Sequence, residues 1–348
     1  MNLYLDNGYL NVKYLRETAP AFTFCTGGRG IGKTYGFLKS YRLTDPAPFI
    51  FLRRTQEQID MCMQEQFSPF KSIDIDNGIY TVAKKYGKRI VGFYNGIKNG
   101  DEIIADGPPL AYGMALSTIH NIRGFDASNI QAIIYDEFIP ELHERLIKNE
   151  YEALMNAYET INRNRELKGE PPVKMYCCSN SNILANPYYI GLGVIRAIDT
   201  MIEKDIEIKD YPNRNLRLIH FMHSPISEKK SATAVYTLNV NTQFSEMALK
   251  NKYANESRSK TGNIPLKELI PLAAIGELCL YRHKSNARKL YGTTHISGAP
   301  IIFATSDGDI ARFRAAFGWT WGLYLTDNIV WQDYLPEILY RKFMGCKW

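Results

Sequence analysis

Residues 27–34 read Gly27-Gly28-Arg29-Gly30-Ile31-Gly32-Lys33-Thr34, the pattern G-x-x-x-x-G-K-[ST] without deviation. No other feature of the chain limits its fold so sharply. The glycines free the backbone to curl until successive N–H groups point at one anion. Such a loop leaves a buried strand and enters a helix whose positive end faces the same anion. Both flanks comply. Ala21 to Thr26 (AFTFCT) is short, apolar and β-prone, and Lys33 to Tyr41 reads as a helix that stops before Asp45-Pro46-Ala47-Pro48. Lys33 would place a cation on the β- and γ-phosphates of ATP, and the Thr34 hydroxyl is a hard oxygen ligand for Mg²⁺.

The elements that follow keep this α/β rhythm. Phe49 to Leu52 (FIFL) is a second buried strand with Arg53 and Arg54 at its carboxyl end. Ile79 to Val82 and Arg89 to Tyr94 flank Gly87-Lys88 as a hairpin, and Ala111 to Leu116 is a further strand candidate. Ile130 to Tyr135 is apolar and ends in Asp136-Glu137. Glu141 to Leu167 carries apolar residues at near-helical spacing, including Leu142, Leu146, Leu154, Tyr158 and Ile161, and predicts one long helix. Val173 to Cys178 is another buried strand, ending in Ser179-Asn180. The alternation predicts a largely parallel sheet, with ligands held outside the carboxyl ends of its strands.

Asp136 and Glu137 fall at such an end, about a hundred residues after the loop. One carboxylate there can hold Mg²⁺ and the next can orient and deprotonate an attacking water. Asp136 is therefore the expected metal partner and Glu137 the expected catalytic base, which favours a hydrolase over a kinase. The alternative is that Asp-Glu merely caps a helix starting near Pro140. Asn180 would sense the γ-phosphate or hold the water, against the plainer reading of a polar turn. Arg163 and Arg165, in the run Asn162-Arg163-Asn164-Arg165-Glu166, could act on the developing charge or simply favour a helix C-terminus. Arg53, Arg54 and Arg123 are further candidates, and spacing alone does not choose among these arginines.

At 348 residues the chain exceeds the usual single domain. The texture changes after Ile198, which predicts 1–198 as a nucleotide-binding domain, 199–230 as a linker and 231–348 as a smaller α+β domain. Val235 to Val240, Gly276 to Tyr281, Ile301 to Ala304 and Trp319 to Leu325 read as its short strands. The formal net charge of +6 permits nucleic-acid binding without demanding it. Between Glu246 and Lys289, nine bases face four acids, a polyanion-binding surface or a solvated face. None of the six cysteines forms a C-x-x-C pair, as expected of reduced thiols in a cytosolic protein, and no apolar run approaches a membrane span. The scattered histidines make no metal site, His220 and His223 included.

With these segments in hand, the chain resembles the DNA-packaging ATPases of phi-29-like small tailed phages, relatives of terminase large subunits and ring translocases. The likeness rests on GGRGIGKTYG, FIFLRR, IIYDEFI, and NRNRE followed by CCSNSNILANPY, and fades beyond Ile198. The resemblance implies an α/β P-loop NTPase of the RecA/ASCE type, with a C-terminal domain that is a vestige of the wider family's RNase H-like nuclease. It also implies that Arg163 is supplied in trans to the neighbouring active site, and that Arg53, Arg54 and Arg123 match basic positions near the subunit boundary. A ring, of five subunits, would surround double-stranded DNA at the procapsid portal in the host cytoplasm, with ATP hydrolysis driving the genome inward. The later region offers Asp307, Asp309 and Asp327 with little else arranged around them, so nuclease chemistry is expected to be absent. The basic domain would hold DNA or the structural RNA that some of these phages place at the portal. The competing readings are a cellular ring translocase or helicase, a non-motor P-loop switch, and a DNA-binding structural protein with a vestigial site.

Overall fold

The structure is a computed structural model describing residues 2–345 apart from 123, 142–143, 145–146, 148, 181–183, 185, 240–260 and 296. Arg123, Leu142, Leu146, Cys346 and four bases of the basic stretch (Lys250, Lys252, Arg258 and Lys260) lie outside the described residues. The chain divides into two compact units, one drawn from 1–191 and 200–254, the other from 192–199 and 255–348.

The first unit is built on a nine-stranded sheet. In chain order its strands are β1 (Phe22–Gly27), β2 (Phe49–Arg53), β3 (Tyr80–Lys85), β4 (Val91–Asn99), β5 (Glu102–Ala115), β6 (Ala132–Asp136), β7 (Lys174–Asn180), β8 (Ile208–Tyr211) and β9 (Leu216–Phe221). Across the sheet they run β3-β4-β5-β2-β6-β7-β1-β9-β8. The six strands from β5 to β9 are mutually parallel, and β4, β3 and β8 are added antiparallel at the edges. Burial on both faces explains why β2, β6 and β7 are read from largely apolar runs. One face of the core gathers Phe37, Tyr41, Phe49, Phe51, Phe70, Phe93, Ile134 and Tyr176.

The segment 199–230 is not a linker. After the helix Ile195–Glu203, the chain returns to lay β9 beside β1, with Phe22 opposite Leu216 and Gly27 opposite Phe221. Short, charged β8 (Ile208–Tyr211) disguised the return, because an edge strand carries too little apolar sequence to announce itself. The long helix also shortens. The helix runs only from Glu150 to Asn162, between the left-handed residues Asn149 and Arg163. Glu144, upstream of it, and Glu150, its first residue, are drawn to a buried arginine.

The second unit holds a five-stranded mixed sheet of β10 (Leu269–Ile275), β11 (Leu278–His283), β12 (Asn286–Thr293), β13 (Ile302–Phe303) and β14 (Ile329–Trp331), in the order β13-β10-β11-β12-β14. Trp331, Tyr340, Phe313 and Phe343 fill its core beneath the helices Asp307–Phe317 and Tyr334–Met344. The strand expected over Trp319–Leu325 is the helix Thr320–Leu325, so Trp319 and Trp321 do not alternate across a strand. At helical spacing, Trp321 stacks on Tyr324 with centroids 4.9 Å apart, and this packing overrides β-propensity. In the first unit, the run expected as a strand from Val235 is likewise a helix, Ala234–Leu238, anchored by buried Tyr236.

Candidate active site

The phosphate loop follows β1 and opens the helix Lys33–Lys39, with Gly32 as its N-cap at φ +87°. Gly27 has no room for a side chain, since a Cβ there would lie 2.7 Å from the Phe221 Cβ. Two segments brace the loop from outside. The Leu10 N–H donates to the Ile31 carbonyl at 3.2 Å, with Tyr9 packed against Gly32. Lys230, ending the helix Pro225–Lys230, donates to the Arg29 carbonyl at 2.6 Å.

Lys33, buried with its ammonium inside the loop, donates to the carbonyls of Gly27 at 3.1 Å and Gly28 at 2.7 Å. Burial pulls its pKa down to about 8, against the partial support of neighbouring acidic groups including Asp136. A polyphosphate would return the negative charge this cation lacks. The Thr34 hydroxyl donates to Asp136 Oδ1, so the two expected magnesium partners already meet. Burial raises the Asp136 pKa, with Arg53 and Thr34 working in the opposite direction.

Strand β7 lies between β6 and β1, so the Asp136 strand is one position removed from the loop strand. That intervening strand carries Ser179 and Asn180 to the site, with Asn180 in register with Gly27. The Ser179 hydroxyl accepts from the Ile139 N–H at 3.3 Å and ties β7 to the chain following the carboxylates. Glu137 sits at φ +54°, a conformation uncommon for a side-chain-bearing residue and found preferentially at functional sites. Gly30, Gly32, Lys33, Thr34, Asp136, Glu137 and Asn180 thus open on one cavity of about 390 Å³. Arg29 and Glu141 close an exposed ion pair at its mouth, 2.6 Å apart. Among the described residues, ATP phosphates fit the loop and Mg²⁺ fits the Thr34–Asp136 pair.

The arginines separate into distinct roles. Arg53 is a partner in cis, its guanidinium reaching Asp136 Oδ2 at 3.1 Å and also Glu137. Burial works against its charge, yet the two carboxylates more than offset this and hold its pKa above the ordinary value. Arg54 points the other way and is only 1% exposed, which corrects its placement at a subunit boundary. It bonds Glu150 through Nε at 3.1 Å and Glu144 through Nη1 at 2.9 Å. Burial raises the Glu150 pKa even so, with Arg54 opposing it. Arg54→Ala should therefore destabilise the unit by about 3–5 kcal/mol, because Glu150 is left buried and unpaired. Denaturant unfolding would measure this, and Arg54→Met with Glu150→Met should recover most of the loss. Unchanged stability in the single variant would rule out an ionised pair.

Arg163 and Arg165 lie away from the cavity. Arg165 Nη1 donates at 2.5 Å to the carbonyl of Ile130, just before β6, and Asn162 accepts from the Val173 N–H, just before β7. Both anchors mark the amino edge of the parallel strands. The six residue steps from Ile130 to Asp136 span roughly 20 Å at strand geometry. Arg163 itself is left-handed at φ +47°, with its side chain 46% exposed and donating to the Phe125 carbonyl at 2.6 Å. Sequence reading missed Lys230 and Tyr9 because neither belongs to a local pattern; only the return of the chain puts Lys230 on the loop.

In the second unit, Asp307 and Asp309 occupy the first turn of a helix, with the Asp309 N–H donating to the Ser306 hydroxyl that caps it. Asp327 is a left-handed turn residue. Among the described residues, no group of three or more His, Cys, Asp or Glu side chains is placed to hold a metal ion, and no helix is long and apolar enough to cross a membrane.

Known proteins resemble this chain in sequence and in fold. The chain is 25% identical to the DNA packaging protein of Bacillus phage phi29 over 244 residues, 68% of this chain and 63% of that protein. It matches less than two thirds of the relative's length. The solved phi-28 gp11 DNA packaging motor aligns over 99% of this chain and 100% of its own, at 18% identity and a TM-score of 0.62. The bacteriophage phi-29 genome packaging motor assembly aligns over 98% and 100%, at 18% identity and a TM-score of 0.64, a likeness of fold. Residues 6–262 match the family described as podovirus DNA encapsidation protein (Gp16), and with most of its length covered, the chain belongs to that family.

Proposed function

We propose that this protein hydrolyses ATP to drive double-stranded DNA into a viral procapsid, working as a homo-oligomeric ring with five subunits at the portal vertex. The convergence of Lys33, Thr34, Asp136, Glu137 and Asn180 on one cavity carries the reading. Lys33 would leave the Gly27 and Gly28 carbonyls for the β- and γ-phosphates. Thr34 and Asp136 would hold Mg²⁺, which supplies charge neutralisation on the phosphate oxygens. Glu137 would align the attacking water and take its proton, and Asn180 would report the γ-phosphate to β7. Arg53 holds Glu137 and Asp136 in their present positions.

The amino-edge position of Arg163 supports action in trans, because its own cavity opens at the other edge while a ring neighbour's could face it. A structural packaging RNA is a further candidate partner. Nuclease chemistry is not part of the proposal. The test is ATP turnover with and without double-stranded DNA, using Lys33→Ala as the blank. We expect stimulation by DNA of any sequence, weakening as salt rises. Turnover indifferent to DNA would instead favour a non-motor nucleotide switch.

A further inference from the structure

Between Asp76 and Asp101 the chain contains no acid, while Lys84, Lys85, Lys88 and Arg89 crowd the end of β3 and the turn into β4. All four side chains are exposed, and among the described residues none forms an ion pair. The turn also has a defined position. Val91 lies opposite Gly113 of β5, and β5 runs parallel to β2, so residues 86–90 project from the carboxyl edge of the sheet. That is the edge bearing the phosphate loop and Asp136.

A mobile, merely solvated turn would need no support. This one is held by its own backbone, with the Tyr86 N–H donating to the Ile90 carbonyl at 2.9 Å. The Tyr86 ring packs edge-on against Tyr112 at 4.9 Å and reaches Phe125 at 6.4 Å, and Tyr112 and Phe125 meet at 4.9 Å. Guarding an open sheet edge explains lysines on β3, since β3 is the outermost strand. It does not explain Lys88 and Arg89, which lie beyond the strand. Four like charges within residues 84–89 repel one another, and a polyanion relieves the repulsion.

We propose that the β3–β4 turn is a contact for the phosphate backbone of double-stranded DNA. It rests on the reading of the chain as a DNA-driven motor. The contact is blind to sequence, since lysine and arginine on phosphate read charge and spacing only. The experiment follows binding of a short fluorescent duplex as salt is varied, alongside DNA-stimulated ATP turnover. The variants are Lys84→Gln/Lys85→Gln/Lys88→Gln/Arg89→Gln and the turn-only pair Lys88→Gln/Arg89→Gln.

Each lost phosphate contact should flatten the log–log salt dependence by about 0.9, so the fourfold variant should lose about 3–4 units and the pair about 2. Turnover without DNA should stay at the parent level, while the DNA needed for half-stimulation rises. An unchanged slope and unchanged half-stimulation in both variants would overturn the proposal, as would a loss confined to double-stranded RNA. If the fourfold variant precipitates, its lysines guard the edge and the soluble pair decides the outcome. Parent protein that neither binds nor responds to DNA would defeat the motor reading itself; a responsive parent with unaltered variants would defeat only the turn.

Discussion

Glu137→Gln is expected to lower ATP turnover by about 10²–10⁴-fold while ATP remains bound, the range a positioned general base contributes. The substitution keeps the side-chain shape and removes only the ability to take a proton. Lys33, Thr34 and Asp136 stay in place, so phosphate and metal binding should persist. Equilibrium binding of a fluorescent ATP analogue and steady-state phosphate release measure the two effects separately. Glu137 also bonds Arg53, which in the variant keeps Asp136 as its remaining carboxylate partner. Turnover at the parent rate would remove Glu137 from the chemistry and reduce it to a partner of that arginine.

Arg163→Ala should produce a loss of comparable depth by a different route. A cation delivered to the transferring phosphoryl group is worth about 10³–10⁵ in turnover. Arg163 follows a helix whose end is tied through Arg165 to Ile130, at the amino edge of β6, and its own side chain is half exposed. The single variant should therefore bind ATP normally and fail to turn it over. Mixed with Glu137→Gln subunits, it should regain part of the activity, because some sites would combine an intact Glu137 with a neighbour's intact Arg163. No recovery at any mixing ratio would withdraw the trans assignment, and normal turnover in the single variant would end it.

The parts of the site that were legible in the sequence are those whose chemistry is written contiguously. The phosphate loop must be glycine-rich, its helix must follow at once, and Asp136-Glu137 must end a buried strand. Hidden parts are made by residues far apart. Arg54 and Glu150 are 96 positions apart, and Lys230 reaches back 201 positions to Arg29. Neither pair leaves a periodic trace. The adjacent Arg53 and Arg54 show the limit well, because strand alternation sends one to Asp136 and Glu137 and the other into the interior. The left-handed Asn149 similarly cut a helix that apolar spacing alone would have extended.

The placement of β9 sets an order of events during synthesis. Thr26, just before the phosphate loop, meets its neighbour His220 across 194 positions of chain. At about 5–20 residues per second, the ribosome leaves β1 without its outer neighbour for roughly 10–40 s after that strand emerges. Throughout that interval one row of β1 backbone donors and acceptors lacks its final partner. The cavity at the glycine-rich loop, although coded near the start of the chain, is among the last features of its unit to be completed.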